Sequence, residues 1–419
     1  MKKESFLILL FLLAGIAGGL CPAPPVYGQN TAVSHIVQPG ETWAALAAQT
    51  NSTTTALQLL NPHINTQRQP AVGSTISLPG KATRTGQLIR PIQGGLLTLA
   101  AAHNLSPWKM ALQNNLAHPY IPLLLHPIIL PDSKPVYELP AGFATLSLSQ
   151  IPARPGQALG VRGVLSRETA VTTSLGSHPF PMFTNGRFAI GLTAEGAFFG
   201  NAAPELLIHP AGKAAWVQPW LFVDDTPWTF QQITLTGSAA QIDQTSIQQE
   251  RERLFAIWQQ ATPAPLFNGR FQLPIASFLE ISSAYGARRS YNGGPYRTYH
   301  EGVDFSAYGG TAVLAPAAGT IVVAETLYVR GGTVIIDHGL GIYSGFYHMN
   351  TIHVTPGETV SPGQIVGEVG TTGLSTGNHL HWDLLINGVW VDGQAWLDQE
   401  MGCWVLAGWN GRDTCHSTQ

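Results

Sequence analysis

Residues 379–381 read His-Leu-His and open the run Trp382, Asp383, Leu384, Leu385 and Ile386, which has a strand pattern. Residues two apart in a strand face the same side, about 6.5–7 Å from each other. His379 and His381 therefore look into one site, while Leu380 and Trp382 enter the core. One imidazole of such a pair can bind a metal ion while the other reaches a water on that ion. A pair of idle surface histidines would leave the apolar opposite side unexplained. Upstream, residues 300–304 read His-Glu-Gly-Val-Asp after the glycine-rich loop Tyr291, Asn292, Gly293, Gly294. With only a short, glycine-containing span between them, His300 and Asp304 can converge on the same ion. Two imidazole nitrogens and one carboxylate oxygen suit Zn2+, and three protein ligands leave a fourth position for water, which separates a catalytic zinc from a structural one. His348 ends the second of two strands expected around Gly339, Leu340 and Gly341. A histidine, near neutral in its ordinary pKa, suits a general base beside such a water. His338 and His353 are read as locally bonded side chains.

The elements that must hold these groups are mostly β. The chain has 419 residues, which at about 150 per domain suggests three domains. Charged residues make up 11% against a usual ~25%, and 44% are hydrophobic, which excludes a disordered solvating chain. Gly 45 and Pro 30 exclude a coiled coil. A net charge of −3 with no basic block leaves no electrostatic footprint for nucleic acid.

Residues 35–79 predict a strand, a turn at Pro39 and Gly40, a helix capped by Thr42 with Trp43, Leu46 and Ala47 inward, a second helix with Leu57 and Leu60, and a strand over 73–78. With V-x-x-G-E-T-W, L-L-N and G-S-x-I-x-L-P at these spacings, the segment resembles the lysin motif (LysM), which implies binding of glycan chains that contain N-acetylglucosamine. An echo follows over 86–131, where Leu99 and Ala100 parallel Leu46 and Ala47, and Gln113 and Asn114 parallel Leu60 and Asn61. This is internal duplication, and the second copy has Gly94, Gly95 and Leu96 in place of the G-E-T start. Residues 140–238 alternate polar and apolar positions in short runs between turns, the pattern of a β-sandwich serving as spacer or gate. Residues 243–260 predict a connector helix capped by Asp243 or Ser246, with Ile247, Leu254, Ile257 and Trp258 as its apolar stripe and residues 249–253 as a solvated face.

Residues 264–400 resemble the lysostaphin-type (LytM-like) zinc metalloendopeptidases, which cleave peptide bridges or stems of peptidoglycan. The matching text includes ISSAYGARRSYNGG, HEGVDFSA, GGTVIIDHGLGIYSGFYHMN and GTTGLSTGNHLHWDLLING. The resemblance implies an antiparallel β catalytic domain of the lysostaphin-like, duplicated-hybrid-motif type, with a groove across its sheet. It implies one Zn2+ per chain on His300, Asp304 and His381, and His348 and His379 as the catalytic pair. The choice of His381 over His379 as ligand rests on the resemblance. Loops 287–299 and 372–378 are expected as groove walls, with Arg288 and Arg289 placed either to hold a substrate carboxylate or to pair structurally.

At the start of the chain, Lys2 and Lys3 precede an apolar stretch over 6–20, and Val26 and Gly28 fit a cleavage site, so residues 1–28 read as a signal peptide. Leu20 before Cys21 argues against a lipid anchor there. The mature chain is then expected outside the cell or in the envelope, without a membrane span, as a monomer. Cleavage leaves Cys403 and Cys415, for which an oxidising compartment predicts a disulfide within the tail 401–419. Two rivals stand beside the hydrolase. A lysine-modified carrier domain fits the hairpin VTPGETVSPGQIVGEVG but fails because the last lysine is Lys213. A catalytically silent wall-binding regulator would lack some of the five site residues, and none is missing.

Overall fold

The computed structural model describes residues 32–80, 83–91, 93–234, 243–412 and 415. The expected leader over 1–28 lies outside the described residues. Val33–Ile36 pairs antiparallel with Thr75–Leu78, and helices Trp43–Gln49 and Thr54–Leu60 lie between them in the chain. Threonines start both helices: Thr42 accepts a hydrogen bond from the Ala45 N–H and Thr53 from the Ala56 N–H, satisfying first-turn donors. Trp43, Leu46, Leu57, Ile76 and Leu78 close the core of this unit. Leu60 is exposed, while Leu57 and Asn61 share the inner face at the end of the helix.

The second unit repeats the plan with Thr85–Ile89, Leu96–Ala102, Pro107–Gln113 and Ile128–Pro135, its last strand running past the expected end at 131. One side chain carries the duplication. Asn61 donates to the Leu57 and Ser77 carbonyls and accepts from the Ser77 N–H. Asn114 donates to the Met110 and Ile129 carbonyls and accepts from the Ile129 N–H. In both units an asparagine amide, fully buried at Asn61 and partly so at Asn114, ties the second helix to the returning strand.

Seven antiparallel strands follow between Phe143 and Pro219. They form one continuous sheet, because His178–Asn185 pairs through its first half with Val171–Leu175 and through its second half with Phe188–Ala194. The two layers of the expected sandwich are thus joined through a shared strand, around Leu159, Val161, Phe180, Leu206, Ile208 and Trp220. Gln218, fully buried on its last strand, accepts from the Gly40 N–H and donates to the Glu41 and Pro70 carbonyls, which locks the first unit onto this sheet.

Phe230–Ile233, expected within the sandwich, pairs in parallel with Arg288–Tyr291 of the next region. Alternation marks a strand without naming its partner. The connector helix is Gln244–Trp258, capped by Asp243. Its solvated face was expected to include Glu250, yet Glu250 is buried with Leu254 and Trp258 and accepts from the Val329 N–H and Arg330 Nη1. A buried carboxylate on an apolar stripe holds because its partners neutralise and hydrogen-bond it.

The C-terminal sheet runs Glu280–Ser283, Val303–Ser306, His379–Ile386, Ile342–Met349, Gly331–Gly339, Gly319–Leu327 and Thr359–Val360, with Val389–Val391 also paired to His379–Ile386. Where a tail was expected, Met401–Asn410 forms a helix whose Met401, Val405 and Leu406 pack with Ile190 and Leu192 of the seven-stranded sheet. Cys403 and Cys415 are disulfide-bonded across its end. Among the described residues no helix is long and apolar enough to cross a membrane.

His338 sits fully buried in this sheet, bonded to the Ala318 carbonyl and the Ser344 hydroxyl, and burial pushes its pKa down to about 4. A histidine lowered in the folded state stabilises fully above its unfolded pKa of ~6.5, and lowering to about 4 removes about 3 kcal/mol as pH falls through that window. The thermal midpoint should therefore drop less between pH 7.5 and 4.5 in His338→Gln than in the natural chain. Equal drops would contradict this assignment.

Candidate metal centre and catalytic groove

Antiparallel register builds the centre. Asp304 of Val303–Ser306 lies directly opposite His381 of His379–Ile386, and Ser306 lies opposite His379. Directly opposite residues share a face, so the carboxylate meets the imidazole: His381 Nδ1 is 2.8 Å from Asp304 Oδ1. His300 comes from the loop before that strand, with Nε2 3.0 Å from His381 Nδ1 and 3.1 Å from Asp304 Oδ1. The other nitrogen of His300 lies 2.9 Å from Ser283 Oγ and 3.1 Å from the Ala284 carbonyl. A carbonyl only accepts, so Nδ1 carries the hydrogen and Nε2 turns its lone pair inward.

Gly302 makes the approach possible. A Cβ there would sit 2.4 Å from the Trp382 carbonyl oxygen and 2.6 Å from His381 Nε2. Below the ring, Tyr347 lies opposite His381 in the neighbouring strand, its centroid 5.3 Å from the imidazole, and its hydroxyl donates to Asp383.

His348 is positioned by an irregular backbone. It follows Tyr347 and by simple alternation would face away from the site. Its φ of +64°, beside a register shift in the pairing with Gly331–Gly339, turns it back. Its ring stands 4.8 Å from that of His379 and 6.4 Å from that of His381. His348 Nδ1 bonds the Thr372 carbonyl and His379 Nδ1 bonds the Gly377 carbonyl, so among the described residues neither Nε2 makes a hydrogen bond, and His379 Nε2 stands 3.9 Å from Asp304 Oδ1. Loop 372–378, expected as a groove wall, thus anchors the two histidines.

Burial pushes the His381 imidazole down to about 3, and burial with the neighbouring His379 pushes His348 to about 4. For Asp304, burial acts to raise the pKa, but the imidazoles of His300 and His381 outweigh it and hold the carboxyl far below the usual range. The three inward atoms can share at most one hydrogen, on His381 Nδ1, which leaves an electron-rich triangle. Two imidazole nitrogens and one carboxylate oxygen around one point fit a zinc ion.

Arg288 is structural. It is buried between the rings of Phe198 and Trp228 and donates to the Ala197 carbonyl. Arg289 instead reaches within 3.6 Å of Asp304 Oδ2. His353 pairs with Glu368 on the surface, away from the triangle. The supporting roles of Ser283, Tyr347 and Gly302 escaped the reading from sequence; only the glycine inside H-x-G-x-D carried a signal.

Gly302→Ala should abolish metal uptake even where the chain still folds, because the clash involves backbone; a metal-replete Gly302→Ala protein would contradict it. At position 348, glycine should be more stable than alanine by about 1 kcal/mol, since an L-residue is strained at positive φ. Comparing melting of His348→Gly and His348→Ala checks this, and a more stable alanine variant would count against the backbone reading.

Comparison with known proteins follows the same division. The profile of peptidase family M23 matches residues 298–393, which include all five site residues, and the LysM domain profile matches residues 35–79. An uncharacterized metalloprotease of Haemophilus influenzae is 36% identical over 126 residues, 29% of this chain and 26% of that protein. Peptidoglycan DD-endopeptidase ShyA of Vibrio cholerae is 35% identical over 115 residues, 27% of each chain. The alignments thus span about a quarter of these relatives' lengths. The crystal structure of a candidate peptidase M23 from Pseudomonas aeruginosa is 24% identical, covers 59% of this chain and 94% of that one, and superposes with a TM-score of 0.44. The chain carries a peptidase family M23 domain, which holds the His300–Asp304–His381 triangle and both flanking histidines, and a LysM domain at 35–79.

Proposed function

We propose that this protein is an exported, zinc-dependent peptidoglycan endopeptidase that cuts peptide cross-links or stem peptides and uses its LysM domain to hold the glycan. The observation that carries the reading is the electron-rich triangle of His300, Asp304 and His381 beside two histidines that each keep a free Nε2. Relatives named peptidoglycan DD-endopeptidases support the peptide part of the wall as the part cleaved.

His300, Asp304 and His381 would hold the ion, which when bound supplies Lewis-acid polarisation of a carbonyl. His348, unprotonated at neutral pH, can take a proton at Nε2 from an attacking water and return it to the leaving amine. His379, fixed through Nδ1, can accept a hydrogen bond from that water at Nε2 and, once protonated, donate to the developing oxyanion. The groove between loops 287–299 and 372–378 would align the peptide. A leader over 1–28, as the sequence predicts, would export the chain, and the Cys403–Cys415 bond suits an oxidising compartment.

The mature chain should hold one zinc per molecule and clear suspensions of purified cell walls. His381→Ala should lose metal and activity together. His348→Ala should keep zinc while clearing falls by at least about 100-fold. Zinc analysis with turbidity assays and identification of released peptide ends checks this. A zinc-replete chain that releases no ends would sink the enzyme and favour a silent wall-binding regulator.

A further inference from the structure

We propose that Gln231, contributed from outside the M23 domain by the segment that leaves the seven-stranded sheet, is a positioning residue of the metal centre. The inference rests on the zinc reading above. Phe230–Ile233 runs parallel to Arg288–Tyr291, with Gln231 beside Arg289. Backbone bonds hold the segment at both ends, where the Arg288 N–H donates to the Thr229 carbonyl and the Asn292 N–H to the Ile233 carbonyl. Trp228 seats it further, with its ring where a Cβ of Gly286 would otherwise stand. The segment therefore stays docked without the Gln231 amide, and that amide is free to do something else.

Its contacts lead to His300. Arg289 Nε donates to Gln231 Oε1 at 3.2 Å, which fixes which end of the amide is oxygen. The amide then faces Ser283, with Nε2 3.0 Å and Oε1 3.2 Å from Oγ. Ser283 Oγ also accepts from Arg289 Nη2 at 3.3 Å and lies 2.9 Å from His300 Nδ1. Because Nδ1 carries a hydrogen toward the Ala284 carbonyl, the serine must present a lone pair to it, and its own hydrogen must go elsewhere. Gln231 Oε1 takes that hydrogen. The same amide holds Arg289 near Asp304 Oδ2. One side chain from a neighbouring region thus fixes the orientation of one ligand and the charge beside another.

Partners of this kind ordinarily change metal affinity 10–100-fold when removed. The test uses the full mature chain, with zinc affinity measured by competition against a chromophoric chelator and with the visible spectrum of bound Co2+. Gln231→Leu keeps the size of the side chain and should weaken zinc about 10–100-fold with an altered Co2+ spectrum. Gln231→Glu, which keeps an acceptor for Arg289 and Ser283, should recover most of that loss. Ser283→Ala should weaken zinc similarly, and the Gln231→Leu/Ser283→Ala double variant should lose little more than either alone, because the two act in series.

Natural zinc affinity in Gln231→Leu, no recovery in Gln231→Glu, or fully additive losses would each overturn the proposal. If Gln231→Leu fails to fold, Ser283→Ala decides alone, and natural affinity there overturns it. A natural chain that binds no more zinc than His381→Ala would overturn the metal reading and this inference with it, an outcome distinct from all the others.

Discussion

His300 Nε2, Asp304 Oδ1 and His381 Nδ1 converge on one point, and much of the C-terminal architecture holds them there. They lie about 3 Å apart in a partly buried place, bridged by the one hydrogen on His381 Nδ1. Cross-strand register sets Asp304 against His381, Gly302 lets the loop pass the ring, and Ser283 with the Ala284 carbonyl turns His300. Loosening any of these would let the three atoms separate and lose the site.

His348 and His379 obey a different constraint. Anchoring Nδ1 of each ring on a carbonyl of one loop fixes its orientation, and burial, against the opposing effect of that carbonyl, keeps His348 uncharged at neutral pH. His348 reaches that position only through a positive φ. Strain of this sort persists where surrounding bonds over-determine it. Here the Arg330 carbonyl accepts from the His348 N–H and the Thr372 N–H donates to the His348 carbonyl.

The modules are wired together by polar side chains at joints. Gln218 locks the first βααβ unit to the seven-stranded sheet, Glu250 ties the connector helix to Arg330, and Arg162 stacks on Trp404 of the C-terminal helix. Each joint couples its neighbours by a few directed bonds, which specify geometry more sharply than apolar contact alone.

Local pattern was enough for much of this protein. Alternation in HLHWDLLI placed two imidazoles on one side of a strand, H-E-G-V-D offered a nitrogen and an oxygen within reach of one ion, and the capping Thr42 with Trp43 and Leu57 outlined the first βααβ unit. These features depend on residues close in the chain, where the strand and helix periods fix direction. Partners across the fold were not legible: a glutamine in an alternating run, a glutamate on a charged-looking helix face and a serine before Ala284 look ordinary in sequence. Tertiary structure alone decided that Gln231 meets Ser283, that Glu250 goes inward and that His348 turns back toward His379. The reason is physical: a period dictates which way a side chain points, but only the packed sheet dictates what stands there to meet it.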